Sequence, residues 1–306
     1  MLDFRTDTFL EACKYLNFTK TAKSLHITQP AVTQHIHFLE EYYGTKLFAY
    51  EGKKLRLTAE GGMLQQMLAA QKHDSAYLKE KLKLTGEDKK SLRFGVTLTI
   101  GEFVIAKPLS LLLKGHPELS VHVESANTQE LLKKIKNGEI EFAVMEGNFP
   151  REEYDSVIYS RENFIAVCAG DYRLQKGEKR MEDLLQERLI VREEGSGTRE
   201  VLVKDLERRN LSLHDFAGVV EIGNMSAIKA LVSFGCGISF LYETAVKEEL
   251  AAGSLRRLEP EDFSAVHDFS FVWQKGSFFD RDYVHIFEEF CMRQGKGKTE
   301  TARYKI

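Results

Sequence analysis

The sequence predicts a small helical head joined through one long helix to a larger α/β body, and three observations lead there. Residues 4–58 hold short helical patterns that end in a brief alternating stretch, and 59–85 carry one long helical pattern without proline. Residues 91–294 alternate apolar, β-branched runs with helical ones, which implies a largely parallel, right-handed sheet. The length of 306 residues leaves room for two or three domains, and a composition 43% hydrophobic and 29% charged can bury proper cores. No run of about eighteen apolar residues occurs, and Asp3, Asp7 and Glu11 stand where a signal peptide needs an uncharged core, so a cytoplasmic protein is expected. Cys13, Cys168, Cys236 and Cys291 show neither metal-ligand nor disulfide spacing and read as buried small residues.

Charge divides unevenly. Residues 1–90 hold fourteen Lys/Arg against eleven Asp/Glu, a net +3, while the rest carries −6. A polyanion partner is therefore expected for the head alone.

The first helix is expected over 4–16, with Phe4, Phe9, Leu10, Cys13 and Leu16 along one side. Thr19 is expected to cap a second over 19–25, with Ala22 as its small inward residue. After a His26–Thr28 turn, Gln29-Pro30 opens a third helix, where proline in the first turn loses no hydrogen bond. Val32, Ile36 and Leu39 form its buried stripe at i, i+4 and i+7, which leaves Ala31, Thr33, Gln34, His35 and His37 outward. Two short helices at a sharp angle, the second offering small and amide side chains at its N-terminus, have the form of a helix-turn-helix. Thr28, Gln29, Pro30, Ala31, Thr33 and Gln34 are the candidate DNA-contacting residues, since Gln can grip adenine and Thr or Ala can touch a thymine methyl. The segment 47–58 alternates around Gly52 as a two-stranded wing, with Lys53, Lys54 and Arg56 available for phosphates. The same pattern also fits an ordinary three-helix subdomain with a solvated polar face.

Along the long helix, Leu64, Leu68, Gln71, Ser75, Leu78 and Leu82 step by 4, 3, 4, 3, 4, the spacing of a heptad seam between two subunits. The alternative is a helix lying on its own domain.

In the body, strands are expected at 92–97, 119–123, 140–145, 163–168, 188–191, 218–222 and 269–273. Two loops attract a binding reading. Thr97-Leu98-Thr99-Ile100-Gly101 and Gly195-Ser196-Gly197-Thr198-Arg199 each follow a strand and open a helix, so hydroxyls sit where free N–H groups and the helix dipole favour an anion. Taken singly, each loop also fits an ordinary Ser/Thr helix cap. Catalytic readings fail: 195–197 lacks the spacing of a nucleophile elbow, Phe240 stands where a dinucleotide fingerprint needs its third glycine, and no P-loop, HExxH or SxxK string occurs.

The run FLEACKYLNFTKTAKSLHITQPAVTQHIHFLEEYYGTKLFAYEGKKLRLTAEG resembles the N-terminal domain of the LysR-type transcriptional regulators throughout, including the TQPAVTQHI core, Leu39-Glu40 and the closing L-T-A-E-G. One departure is Tyr50, where the family usually has Arg two residues after its Leu-Phe. Residues 91–294 resemble the family's effector domain, closest to the branch that controls carbon fixation and sulfur assimilation. The resemblance implies two Rossmann-like lobes around a cleft, like periplasmic solute-binding proteins, with crossings near 161–163 and 266–268. It places Thr97, Thr99, Asn127 and Thr128 on the lobe-one side of the cleft, Ser196, Gly197 and Thr198 on the lobe-two side, and Glu146-Gly147 near a crossover edge. Asp171-Tyr172 stands where the family often has His-Pro.

The expected organisation is a winged helix-turn-helix at 1–58, a linker and dimerisation helix at 59–90, an effector domain at 91–294 and a polar tail at 295–306. Lobe one would comprise 91–161 and 268–294, and lobe two 162–267. The expected protein is a cytoplasmic regulator without cofactor or metal, a homodimer or homotetramer on an inverted-repeat site in double-stranded DNA, switched by a small anionic effector and free of membranes. The competing reading is an α/β enzyme acting on a small anion, with an accessory DNA-binding head.

Overall fold

A computed structural model describes residues 3–52, 54–83, 91–176 and 179–292. Contacts divide the chain into two units, one holding residues 1–85 with the short segments 136–139 and 274–281, the other holding the remainder.

In the first unit, α1 (Phe4–Tyr15), α2 (Phe18–Ser24) and α3 (Gln29–Tyr43) form the helical head. Asp3 caps α1, and Asn17, rather than the expected Thr19, caps α2 by accepting from the Lys20 N–H at 3.0 Å. Thr28 caps α3, whose buried residues are the expected Val32, Ile36 and Leu39. Gly44 ends α3 at φ 66°, a left-handed turn that glycine enters without strain. Just beyond it, Glu40 accepts from the Leu47 N–H (3.0 Å) and from Lys46 Nζ (2.6 Å), which ties α3 to the first wing strand. The wing is β1 (Phe48–Glu51) paired antiparallel with β2 (Lys54–Leu57).

The linker helix α4 (Ala59–Lys83) lies partly on this head, which corrects the expected seam. Leu64 and Leu68 are buried in one core with Phe9, Ala12, Val32, Ile36 and Leu39. The large apolar α4 side chains left in the open, among the described residues, are Met63, Met67, Leu78 and Leu82. Further along α4, Asp74 accepts from Ser277 Oγ (2.6 Å) and from the Phe278 N–H (2.8 Å). That bracket holds Phe278 in solvent beside Met63 and Met67.

The second unit opens with β3 (Ser91–Val96), α5 (Leu98–Phe103), α6 (Ala106–Gly115), β4 (Ser120–Ser125), α7 (Thr128–Lys136) and β5 (Phe142–Met145), the strands β4 and β5 flanking β3 in parallel. Leu131 and Ile135 of α7 bury against Ala143, Met145 and Val272, the i, i+4 pair facing the sheet. The sixteen-residue β6 (Tyr154–Ala169) follows, then α8 (Met181–Leu184), β7 (Arg188–Val191), α9 (Gly197–Arg208), β8 (Gly218–Glu221), α10 (Met225–Ser233), β9 (Ser239–Tyr242), α11 (Lys247–Ala252), β10 (Leu255–Leu258), β11 (Ala265–Gln274) and α12 (Asp280–Met292).

One seven-stranded sheet runs β10-β6-β11-β5-β3-β4, with β9 also on β6; β7 and β8 form a separate parallel pair. The sheet is mixed rather than largely parallel, because β11 on β5 and both partners β9 and β10 on β6 are antiparallel. The chain therefore carries two α/β lobes, the first built on β3–β5 and the second on β7–β10, with β6 and β11 shared between them. Arg161 on β6 pairs with Asp268 on β11 at 3.4 Å, joining the two shared strands. Among the described residues, no helix is long and apolar enough to cross a membrane, and no group of His, Cys, Asp and Glu could hold a metal ion.

Candidate functional site

On the head, Thr28, Gln29, Pro30, Thr33 and Gln34 are all exposed at the N-terminal end of α3, and Ala31 is half-buried. Gln29 Nε2 donates to Thr33 Oγ1 at 2.8 Å, so two expected base-reading side chains engage each other in the unbound protein. His35 departs from the outward set, since its Nδ1 lies 2.9 Å from Thr8 Oγ1 and its ring packs edge-on against Phe4. On the wing, Lys54 and Tyr50 are exposed, and Arg56 is held by Glu51 at 2.5 Å. Part of the expected Arg56 charge is thus neutralised within the wing. Lys53 lies outside the described residues.

In the second unit, the two hydroxyl loops meet. Thr97 and Ser196 occupy the N-cap positions of α5 and α9, yet neither side chain caps its helix. The ordinary-cap reading fails on that geometry. Thr97 Oγ1 donates instead to a carboxylate oxygen of Glu146, at the end of β5, and Thr99 Oγ1 donates to the other at 3.2 Å. From the opposite lobe, Thr198 Oγ1 donates to the same Glu146 oxygen at 3.1 Å and lies 3.4 Å from Thr99 Oγ1. Thr128 Oγ1 donates to the Glu146 backbone carbonyl at 2.9 Å. The hydroxyls expected to surround an anion therefore surround a carboxylate of the protein itself.

Glycine makes this closure possible. A Cβ on Gly197 would sit 2.5 Å from the Glu146 carbonyl oxygen and 2.7 Å from Thr128 Oγ1, closer than packed atoms come. The lobes touch there through backbone.

Burial pushes the Glu146 carboxyl above the ordinary range, while the Thr97 hydroxyl, its own backbone N–H, the Thr198 hydroxyl and the Arg192 charge pull it back. Around it, Arg192 Nη1, Ser196 Oγ and Tyr242 Oη are buried without a hydrogen-bond partner. Arg192 spends Nε and Nη2 on Glu193, at 2.7 and 2.9 Å, which leaves Nη1 over. Burial raises the Tyr242 phenol well above its usual range, and the charges of Glu146, Glu162 and Asp268 add to that.

Other expected residues play quieter parts. Ile100 is fully buried, Gly101 packs against Ser125 and Val96, and Asn127 accepts from the Glu130 N–H at 2.9 Å as the cap of α7. Gly195, at φ 87°, supplies the left-handed turn before Ser196. Arg199 turns away to Glu221 and to the Arg192 carbonyl, so the guanidinium facing the cradle is Arg192. Sequence reasoning missed Arg192 and Tyr242. The only signal was positional, since Arg192 directly follows one short buried strand and Tyr242 ends another.

A family described as the LysR substrate binding domain matches residues 85–294, and one described as the bacterial regulatory helix-turn-helix protein, lysR family, matches 5–62. The chain belongs to the LysR family of transcriptional regulators. Curated relatives agree with it along most of their length. CysL of Bacillus subtilis is 27% identical over 87% of this chain and 88% of its own, and CbbR of Xanthobacter flavus is 29% identical over 83% and 76%. Among solved structures, the Synechocystis CcmR regulatory domain in complex with 2-PG shares the fold at a TM-score of 0.58 and 21% identity, covering 68% of this chain and 98% of that one. This LysR-family protein is thus a DNA-binding regulator with an effector-binding domain, and not an enzyme.

Proposed function

We propose that this LysR-family regulator senses a small anionic effector in the cradle between its two lobes and passes that signal to a winged helix-turn-helix on DNA. The observation that carries the reading is the pair of N-cap hydroxyls that do not cap: Thr97 turns to Glu146, which Thr198 of the other lobe also reaches, and Ser196 is left without a partner. Beside them, buried polar atoms of Arg192, Ser196 and Tyr242 have no partner inside the protein. Polar groups left unpaired in an interior mark a place meant for something else. Thr97, Thr99, Thr128 and Glu146 line one side, and Ser196, Gly197, Thr198 and Arg192 the other. An effector that prefers one degree of lobe closure would shift the placement of the heads by its differential affinity. A screen of small carboxylates, phosphates and sulfur oxyanions tests the reading, since a ligand at a hundred times its dissociation constant adds about 2.7 kcal/mol of thermal stability. Stabilisation by none of them would refute it.

Three substitutions separate sensing from DNA reading. Ser196→Ala removes a hydroxyl that has no partner inside the protein, so the unliganded fold should be unharmed. Effector affinity should fall by about tenfold to a hundredfold, because a hydrogen bond to a charged ligand is worth roughly 1.5–3 kcal/mol. Calorimetry reads the affinity and DNA binding should persist. On the head, Gln29→Ala should cost about 1–3 kcal/mol at the specific site and little on random DNA. Lys54→Ala should weaken both and flatten the salt dependence. Equal losses for Gln29→Ala on both DNAs would sink its base-reading role.

The regulator works as a homodimer or a pair of dimers in the cytoplasm, on an inverted repeat whose half-sites match two heads about one helical turn apart. Support for pairing comes from α4, whose open stripe of Met63, Met67, Leu78 and Leu82, extended by Phe278, is apolar surface lacking cover.

A further inference from the structure

We propose that the groove between α3 and the first wing strand seats one sugar-phosphate strand of the DNA, and that Tyr50 holds it there without charge, its phenol donating to a phosphate oxygen and its ring lying on deoxyribose. This rests on the reading of α3 as the DNA-facing helix and adds a contact that the base-reading set lacks.

The groove between α3 and β1 has a volume of about 350 Å³. Phe48 and Leu55, both buried, form its apolar floor. Tyr50 pairs with Leu55 across the wing, and directly opposed residues of two strands share one face, so Tyr50 stands over that floor rather than behind the wing. Tyr50 is 69% exposed, and its hydroxyl takes no partner among the described residues. Thr33 and His37, one helical turn apart on α3, form the facing wall. Gln29 lies a turn before Thr33 and bonds to it, so the groove continues the face expected to read bases.

That position decides the occupant. A helix lying in the major groove is flanked by the phosphate ridges that bound it, and a hairpin standing beside the helix must meet one of those ridges. The space between helix and hairpin is therefore where a backbone strand passes.

Charge assigns the contact to Tyr50. Lys46 Nζ lies 2.6 Å from Glu40, whose other oxygen accepts from the Leu47 N–H, so a phosphate that drew Lys46 away would leave a fixed carboxylate beside itself. His37 Nε2 lies 3.3 Å from Glu41. Basic groups already matched by acids bring no net charge to the strand, whereas the phenol is a neutral donor free to bond. Counterion release follows net positive charge, so this contact adds affinity without adding salt dependence.

Fluorescence anisotropy on the full chain, over a salt series, tests this with two duplexes, one selected by the parent from a random pool and one of random sequence. Tyr50→Ala should lose about tenfold on both, since a backbone contact carries no sequence information, and its plot of log affinity against log salt should run parallel to the parent's. Tyr50→Phe, which keeps the ring and loses the donor, should fall between them. Tyr50→Arg should steepen the slope by about 0.9, the mark of one added charge on a phosphate. Parental affinity of Tyr50→Ala on both duplexes overturns the proposal, as does a loss confined to the selected duplex, which would make Tyr50 a base reader. Tyr50→Phe binding as tightly as the parent overturns the phenol–phosphate bond, and a parental slope in Tyr50→Arg means that no phosphate faces this position. Gln29→Ala on the same duplexes separates the two readings. If it weakens the selected duplex while Tyr50→Ala weakens neither, α3 reads DNA and only the groove was misassigned; if neither variant loses affinity, the reading of α3 falls as well.

Discussion

Glutamate at Leu68 should unfold the DNA-binding head, while the same substitution at Leu78 should leave it folded. Leu68 is 2% exposed and packs with Phe9, Val32 and Leu64 in the head's own core. Truncating such a leucine to alanine already costs about 2–5 kcal/mol. A carboxylate there has neither water nor a cation, and it adds the cost of burying a charge, in a protein whose whole stability is on the order of 5–15 kcal/mol. Leu78 is 47% exposed, so a charge there meets water in the isolated subunit. It should act only on subunit pairing. Thermal melting by circular dichroism separates the first effect, and sedimentation the second. A Leu68→Glu protein with a parental head transition would show that α4 does not pack on the head as described.

Alanine at Gly197 should prise the lobes apart. Its methyl would enter between the Glu146 carbonyl and the Thr128 hydroxyl that donates to it, a contact made of backbone and a buried side chain that cannot swing aside. Overpacking of this kind costs typically 1–3 kcal/mol. Because the obstruction sits where the lobes meet, relief comes by opening rather than by repacking. Amide hydrogen exchange should accelerate in both Thr97–Ile100 and Thr198–Val201, facing segments of different lobes, with β3 unchanged. Effector affinity should fall at least a hundredfold. Unaltered protection on both sides would mean that the glycine is dispensable to closure.

Much of the head was legible because its signals are local. The Val32, Ile36 and Leu39 stripe, the proline in the first turn and the Gly52 turn each act within a few residues. The seam misled because heptad spacing states only that a face is apolar, and Leu64 and Leu68 spend that face on the head. In the body, β9 was hidden behind Gly235-Cys236-Gly237, and β10 reads L-R-R-L with charges in its middle. Only the inner part of β6 was visible, since Asp155, Arg161 and Glu162 break its apolar run where the strand leaves one lobe for the other. The cradle was half legible: sequence located its hydroxyls, but their capture by Glu146 depends on contacts between positions about fifty residues apart. Arg192 was invisible beside the more conspicuous Arg199 for the same reason.

The shared strand β6 gives the lobes a torsion bar in place of a hinge. It runs unbroken from Tyr154 to Ala169, gripped by β9 and β10 from Phe164 onward. Beside it, Asn163 is tied to Glu243 at 2.7 Å and Arg161 to Asp268. Opening must then be taken up as twist spread over a few peptide units, with a restoring torque that grows with angle. The sensor should behave as a sprung instrument with short travel, returning to its closed position when the load is removed, and glycines placed at 161–163 would slacken it.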